Sequence, residues 1–281
     1  MTNRMSDQVY LKRTQYANAG NLNARILIHD LFSTNQEKWT DFIFKHLVIE
    51  KDMQVLAIGC GNATQWQENR IRFPQGARFI LSDLSIGMLR EARAGLQGDS
   101  RFSFYCGDAQ ALAFGQASFD RVTANHMLYH VPDITAALQE VSRVLKPEGI
   151  FIAATNGNEH LIELYELLNG FDSNYLYEAN KHARFSIENG IGQLDGIFVD
   201  VGVSLYKSDL WVTDAKLLVD YTYSMWDAMD TIGEERRTEM QVFFQNLIDR
   251  DGGIYIRKST GVLLASQQPG LLDSLGILKA K

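Results

Sequence analysis

Apolar residues in this chain fall into two rhythms, short continuous runs and stripes of helical period, and between residues 53 and 157 the two alternate. Runs at 54–58, 77–81, 101–106, 118–124 and 150–154 have the length and bulk of buried strands. Residues 86–96 and 134–145 read as helices between them. In the second, Ile134, Ala137, Leu138, Val141, Val144 and Leu145 hold an i, i+3, i+4, i+7 stripe. Pro132 and Asp133 open that helix, and Lys146, Pro147, Glu148 and Gly149 stop it before the fifth strand. Alternation of this kind builds a parallel sheet with helices on both faces, and such sheets bind ligands at the carboxyl ends of their strands.

The flanks read differently. Residues 21–32 form a helix with Leu22, Ile26, His29 and Phe32 near one face, Ser33, Thr34 and Asn35 break it, and 37–47 resume with Trp39, Phe42, Ile43 and His46 or Leu47 inward. These elements precede the first strand, so they are a cap, and His29 reads as a packing residue. Residues 1–20 show no clean period. Beyond Gly157, residues 160–168 are a helix with Leu161, Leu164, Tyr165 and Leu168 on one stripe, and 171–184 are polar and aromatic without period, a loop or lid. Residues 185–189 fit a strand, 191–198 a short helix and 199–206 an alternating strand; 213–229 and 234–249 are amphipathic helices, the second striped by Met240, Phe243, Phe244 and Leu247. Residues 254–256 and 262–265 read as a last strand pair, joined through 258–261 or with that loop open. The organisation expected is an N-terminal helical cap at 1–50, a nucleotide-binding core at 51–157, and a C-terminal half at 158–281 that completes the sheet and adds lid or substrate helices.

A chain of 281 residues can bury a large core as one elaborated domain or two small ones. Its net charge of −7 argues against a broad footprint for nucleic acid or anionic membrane, though a local basic groove is compatible with it. No apolar run approaches the roughly 20 residues that span a bilayer, and the polar N-terminus is unlike a signal peptide, so the expectation is cytoplasmic with no membrane partner. Cys60 and Cys106 lie far apart, with no paired spacing and no His-rich helix, which points to neither a disulfide framework nor a metal site. Both read as small buried residues of the sheet.

The chemistry concentrates at strand ends. Gly59 and Gly61 follow the first strand, where positive φ and close ligand approach need glycine and the next helix offers free amides. Asp83 lies about 20 residues further on, where an acid can accept from both ribose hydroxyls of an adenosine. It can equally serve as a helix N-cap. Asp108 follows the third strand and Asn125 the fourth. Four such ends converge on one sheet edge.

Five motifs in order carry a resemblance: Ile58-Gly59-Cys60-Gly61; Asp83-x-Ser85-x-x-Met88-Leu89; Gly107-Asp108-Ala109 with Leu112 and Phe114; Ser118-Phe119-Asp120; and Val144-Leu145-Lys146-Pro147-x-Gly149. Over about residues 20–266 the chain resembles a class I S-adenosylmethionine-dependent methyltransferase of the small-molecule kind labelled type 11. The run from Asn125 to Asp133 is similar to a bacterial subgroup of these enzymes. The resemblance implies an α/β fold, a Rossmann-like seven-stranded methyltransferase sheet whose last strand is antiparallel, with helical cap elements. It implies S-adenosyl-L-methionine as cofactor and S-adenosyl-L-homocysteine as product. It also implies roles: Gly59 and Gly61 against the methionine part, Asp83 on the ribose, Asp108 accepting from the adenine amino group, and Asn125 beside the sulfonium. Cys60, Leu84, Met88 and Ala109 complete the implied cofactor contacts.

Two positions depart from that pattern. The family places an acid two residues before the first glycine to help hold the methionine ammonium, and here that position is Ala57; its third glycine is Ala63. The expectation is weakened or rerouted anchoring, through water or an N-terminal Tyr. The same departures would suit a non-catalytic cofactor-binding or assembly protein. A dinucleotide dehydrogenase fits worse, because its third glycine would fall at Thr64 and it gives no reason for Asp108.

Methyl transfer is an in-line displacement, so positioning carries much of it and a base is needed only when the acceptor must lose a proton. His126, Tyr129 and His130 follow the fourth strand. His126 reads as general base or substrate contact, His130 as positioning the following turn, and Tyr129 as packing or contact. Tyr10, Tyr16, Trp39, Tyr175, Tyr177, Tyr223 and Trp226 are candidate walls of a small-molecule pocket. Asn125-His126-Met127 is not the Pro-Pro-aromatic signature of enzymes that methylate amino groups of nucleic-acid bases. The acceptor expected is a small, partly apolar metabolite, methylated on oxygen, nitrogen or carbon, within specialised biosynthesis; the oligomeric state is left open.

Overall fold

The structure, a computed structural model, describes residues 6–11, 14, 16, 20–175 and 184–276, apart from the side chains of 226, 227 and 229. The chain opens with α1 (Gln8–Tyr10), α2 (Gly20–Phe32) and α3 (Trp39–Leu47). Next come β1 (Gln54–Ile58), α4 (Thr64–Glu68), β2 (Arg78–Asp83), α5 (Ile86–Gly95), β3 (Phe102–Cys106), β4 (Phe119–Ala124), α6 (Ile134–Val144) and β5 (Leu145–Asn156). After these lie α7 (Ile162–Phe171), α8 (Ile187–Asp195), β6 (Asp200–Leu205), β7 (Leu210–Val212), α9 (Ala215–Ser224), α10 (Trp226–Ile232) and α11 (Arg237–Asp251). Last are β8 (Ile254–Ile256), β9 (Thr260–Ser266) and α12 (Leu271–Ser274).

Seven strands form one sheet in the order β3-β2-β1-β4-β5-β9-β6. Strands β1 to β5 run parallel, while β9 runs antiparallel to both β5 and β6. This is the expected sheet with its last strand reversed. The register sets Ile58 beside Ser82 and Ala124, and Asp83 beside Cys106, so the turns after β1, β2, β3 and β4 emerge at one edge.

Successive residues of the central strands are buried on opposite faces, which is why these strands read as continuous apolar runs. Leu56 and Ile58 pack with Val122, Ala124, Leu138 and Val141 beneath α6. Val55 and Ala57 pack with Ile43, Leu47, Trp66, Phe79 and Ala92 on the other side. A third cluster joins Ile28, Leu164, Leu168, Leu218, Met240 and Phe244 among the cap helices. Helix starts follow side-chain chemistry: Ser85, Asp133 and Asp214 accept from Met88, Ala136 and Leu217 N–H groups.

Several expectations are corrected. Residues 185–189 are not a strand, because Ser186 and Asn189 form a reciprocal capping box that starts α8. Residues 254–256 do not pair with 262–265: β8 pairs with β7 in a separate two-stranded sheet, and β9 enters the main sheet. The helix expected over 213–229 divides at Met225, whose backbone is extended; the Thr222 and Ser224 hydroxyls donate back to the Leu218 and Tyr221 carbonyls just before the break. Residues 145–149 join β5 through a register shift opposite Phe119 and Arg121, with Lys146 tied to Asp120 at 2.8 Å. Cys106 is exposed and Cys60 half-buried, since both sit where strands end. The loop or lid expected at 171–184 lies outside the described residues over 176–183.

Candidate functional site

A cavity of about 430 Å³ opens where the carboxyl ends of β1 to β4 meet α2, α3 and α9. Gly59 and Gly61 begin it with φ of 62° and 57°, and Ala63 follows in the same left-handed region at 62°. Gly59 has no room for a side chain, because a Cβ there would lie 2.7 Å from the Met127 side chain. Helix α4, opened by Ala63, has only five residues.

Asp83 braces this loop. Its Oδ2 accepts from the Gly61 N–H at 2.9 Å and its Oδ1 from the Ser85 N–H at 2.8 Å. Burial pushes the carboxyl pKa up, and the amides of Ser85, Gly61 and Leu84 oppose that shift. Asp83 is therefore not the helix N-cap; Ser85 is, and its hydroxyl also donates to the Tyr16 carbonyl at 2.7 Å. Asp108 Oδ1 accepts from the Gln110 N–H at 3.0 Å, and its Oδ2 accepts from Gln8 Nε2 at 2.8 Å. Asn125 donates through Nδ2 to Gln65 Oε1 at 2.6 Å. That contact leaves Gln65 Nε2 and Asn125 Oδ1 buried without partners, one a donor and one an acceptor, on the cavity wall.

The cap supplies the opposite wall. His126 adopts φ 53°, strained for a residue with a Cβ, while its N–H donates to Ala154 O at 2.8 Å; its ring lies 5.4 Å from Trp39. Tyr16 Oη and His130 Nε2 are 3.1 Å apart, and Tyr129 packs edge-on against His130. His29 faces His160 and Tyr221 at 6.2 and 5.8 Å, and its Nδ1 is buried without a partner. Burial, with Lys258, His126 and Arg25 nearby, holds His29 well below the usual imidazole pKa, so it is neutral. Burial also pushes Lys258 down to about 8, against the pull of Asp209 and Asp30.

All the residues expected on the cofactor side line this cavity: Gly59, Cys60, Gly61, Asp83 and Leu84, then Met88, Asp108, Ala109 and Asn125. So do His126, Tyr16, Trp39, Tyr129 and His130. Tyr10 does not. Tyr223 turns away to donate to Gly233 O at 2.7 Å beneath the Arg237 guanidinium, and Tyr175 is buried, stacked on Tyr165. The Trp226 side chain and Tyr177 lie outside the described residues. Sequence reasoning missed Arg25, Lys258, Thr260 and Tyr221, which also line the cavity, and it read His29 as packing. One signal was available: only Ile28 of α2 is fully buried, and the stripe from Leu22 through Arg25 and Ile26 to His29 faces the cavity.

Among the described residues no group of three or more His, Cys, Asp and Glu could hold a metal ion, and no helix is long and apolar enough to cross a membrane.

Residues 56–153 match a family described as a methyltransferase domain. Demethylmenaquinone methyltransferase of Staphylococcus carnosus strain TM300 is 31% identical over 128 residues, which cover 44% of this chain and 52% of that protein. The chain thus spans about half the length of the curated relatives it matches, or less. Among solved structures, the YcgJ protein of Bacillus subtilis shares the fold with a TM-score of 0.54 at 17% identity, over 86% of this chain and 98% of that one. Phosphoethanolamine N-methyltransferase 2 of Haemonchus contortus, solved with phosphomonomethylethanolamine and S-adenosylhomocysteine, aligns with a TM-score of 0.55 at 18% identity, over 94% and 60% of the two chains. The matched segment carries the glycine loop, Asp83, Asp108 and Asn125 to one edge of a sheet ordered as found here. Residues 56–153 thus match a methyltransferase domain, and the sheet has the order of the class I S-adenosylmethionine-dependent fold that the motifs resemble.

Proposed function

We propose that this protein transfers a methyl group from S-adenosylmethionine to a small, partly apolar acceptor held beneath the cap. The observation that carries the reading is one continuous cavity. At the strand ends it presents a glycine loop and two carboxylates, and toward the cap it presents Trp39, Tyr129, His126 and His29. The orphaned amide atoms of Gln65 and Asn125 fit the charged ends of a methionine, a donor for its carboxylate and an acceptor for its ammonium. On this reading they supply the anchoring that Ala57 lacks, an amide pair beside the water or N-terminal Tyr expected from sequence.

When bound, S-adenosylmethionine supplies an electrophilic methyl group. Asp83 would hold the ribose and Asp108 the adenine amino group, with Gly59 and Gly61 against the methionine portion and Leu84, Met88 and Ala109 flanking the nucleoside. The cap residues exclude water from the acceptor and hold it in line. Where the acceptor must lose a proton, His126 receives it, while His29, held neutral by burial and nearby cations, serves as cavity wall. The resulting enzyme would act on small metabolites, such as those of specialised biosynthesis, in the cytoplasm.

Calorimetric titration with S-adenosylmethionine and S-adenosylhomocysteine tests this. Micromolar binding by the wild type that is lost in Asp83→Ala is the expected outcome; absence of binding to the wild type, with and without candidate acceptors, would overturn it.

A further inference from the structure

Among the described residues, one cation on the wall opposite the strand ends has no carboxylate partner. Arg25 sits on the cavity-facing stripe of α2, and among the described residues it pairs with no carboxylate. Its Nε donates to Ser224 Oγ at 3.2 Å and its Nη2 to the Ser224 carbonyl, at the C-terminus of α9. The remaining groups around it are the phenols Tyr16, Tyr129 and Tyr221, of which Tyr16 is also hydrogen-bonded to it. A guanidinium carries more donors than these partners take up. A charge held out of water among neutral rings is costly unless an anion completes it. Four acids line the same cavity and none is among the groups around Arg25: Asp83 is committed to the glycine loop, Asp108 to Gln8 and Gln110, Glu68 to Thr40, and Asp30 lies toward Lys258.

We propose that the acceptor bears a carboxylate and that Arg25 receives it, with the apolar body of the molecule lying against Leu22, Ile26, Tyr221 and Met225. These side chains line the cavity around Arg25 and carry no charge. Ser224 holds the fork from behind, so an oxyanion entering the cavity meets a cation already oriented, and the planar fork suits a carboxylate better than a point charge would. The inference rests on the methyl-transfer reading only in calling this molecule the acceptor.

The test uses matched acids and amides: benzoate, phenylacetate, 3-phenylpropanoate, hexanoate and octanoate, each beside its primary amide. They are titrated calorimetrically into the wild type, Arg25→Lys and Arg25→Gln, each saturated with S-adenosylhomocysteine. On the wild type at least one acid is expected to bind on the order of tenfold more tightly than its amide. That preference is expected to disappear in Arg25→Gln and to shrink in Arg25→Lys, while S-adenosylhomocysteine affinity stays within a few-fold in both. No acid outbinding its amide on the wild type, or a preference that survives Arg25→Gln, would overturn the proposal. So would a variant whose only change is a lower Tm, which would make Arg25 a pin between α2 and α9. Should Arg25→Gln not fold, Arg25→Lys carries the comparison alone, and an unchanged acid preference there is the overturning result. Should S-adenosylhomocysteine not bind the wild type, the cofactor reading fails, and the same panel run on the protein alone still decides the anion site.

Discussion

The two walls of the cavity are built in opposite ways. On the sheet side, backbone amides brace both carboxylates and the strands hold the loop: Asp83 accepts from Gly61 and Ser85 and Asp108 from Gln110, with side-chain contacts added by Gln8 on Asp108 and by Gln65 on Asn125. On the cap side the functional groups come singly from α2, α3, the turn after β4, α9 and the segment before β9, and side chains hold one another through Tyr16–His130, Arg25–Ser224 and Trp39–His126. A wall fixed by backbone keeps its geometry through changes of sequence, and it suits an unvarying ligand. A wall made of side chains can be retuned residue by residue, and it suits whichever acceptor the enzyme serves.

Substitutions can break this comparison by crossing from one wall to the other. The largest expected effect is on turnover. In His126→Ala, kcat should fall on the order of a hundredfold or more if a proton is removed from the acceptor. S-adenosylhomocysteine affinity should stay within a few-fold; equal losses in both would mean the walls are not separable at His126. Asp83→Ala reverses the pattern. Loss of charge-assisted bonds to a ribose, about 2–3 kcal/mol, should weaken cofactor binding on the order of a hundredfold, with acid binding to the cofactor-free protein unchanged.

Lys258 sharpens the comparison through pH. Its folded pKa of about 8 lies below the ordinary 10.5, so between those values the unfolded chain binds the proton and the folded protein does not. Stability from this group therefore rises with pH across that window, and below pH 8 the full penalty of burying the charge is present. Lys258→Met should stabilise the protein near neutrality by on the order of 1 kcal/mol and flatten the alkaline rise, as read from urea midpoints on either side of pH 8. The smallest effect belongs to the sheet wall. Ala63→Gly relieves left-handed strain but loses a buried methyl and adds chain entropy, so stability should move by less than about 1 kcal/mol and cofactor affinity hardly at all.

The same division governs what could be read in advance. The strands were legible because both faces are buried and each strand ends at a turn of recognisable chemistry, so Gly59, Asp83, Asp108 and Asn125 could be placed at one edge by residue type alone. The cap was not. Arg25 and Lys258 look like solvent-facing charges on a helix and in a loop, and only the packing of α2 against α9 and the approach of β9 turn them inward. Pairings set by distant contacts were equally hidden: nothing local says that Ile254–Ile256 pairs with Leu210–Val212 rather than with the strand that follows it. At 185–189 the local signal existed, and Ser186 with Asn189 three positions later was a helix start read as a strand.

The position of β9 has a consequence for how the molecule comes into being on the ribosome. This strand lies between β5 and β6, yet it meets β5 across a long loop of chain; the Thr260 hydroxyl donates to the Thr155 carbonyl over a separation of 105 residues. Until it arrives, β5 is an open edge and β6 has nothing to pair with, a state that exposes unpaired backbone and apolar side chains to other nascent chains. Lys258 and Thr260 reach the cavity with the same strand. Closing the sheet and completing the cavity wall are one event in synthesis, so a chain still exposed to aggregation is also a chain without a finished cavity.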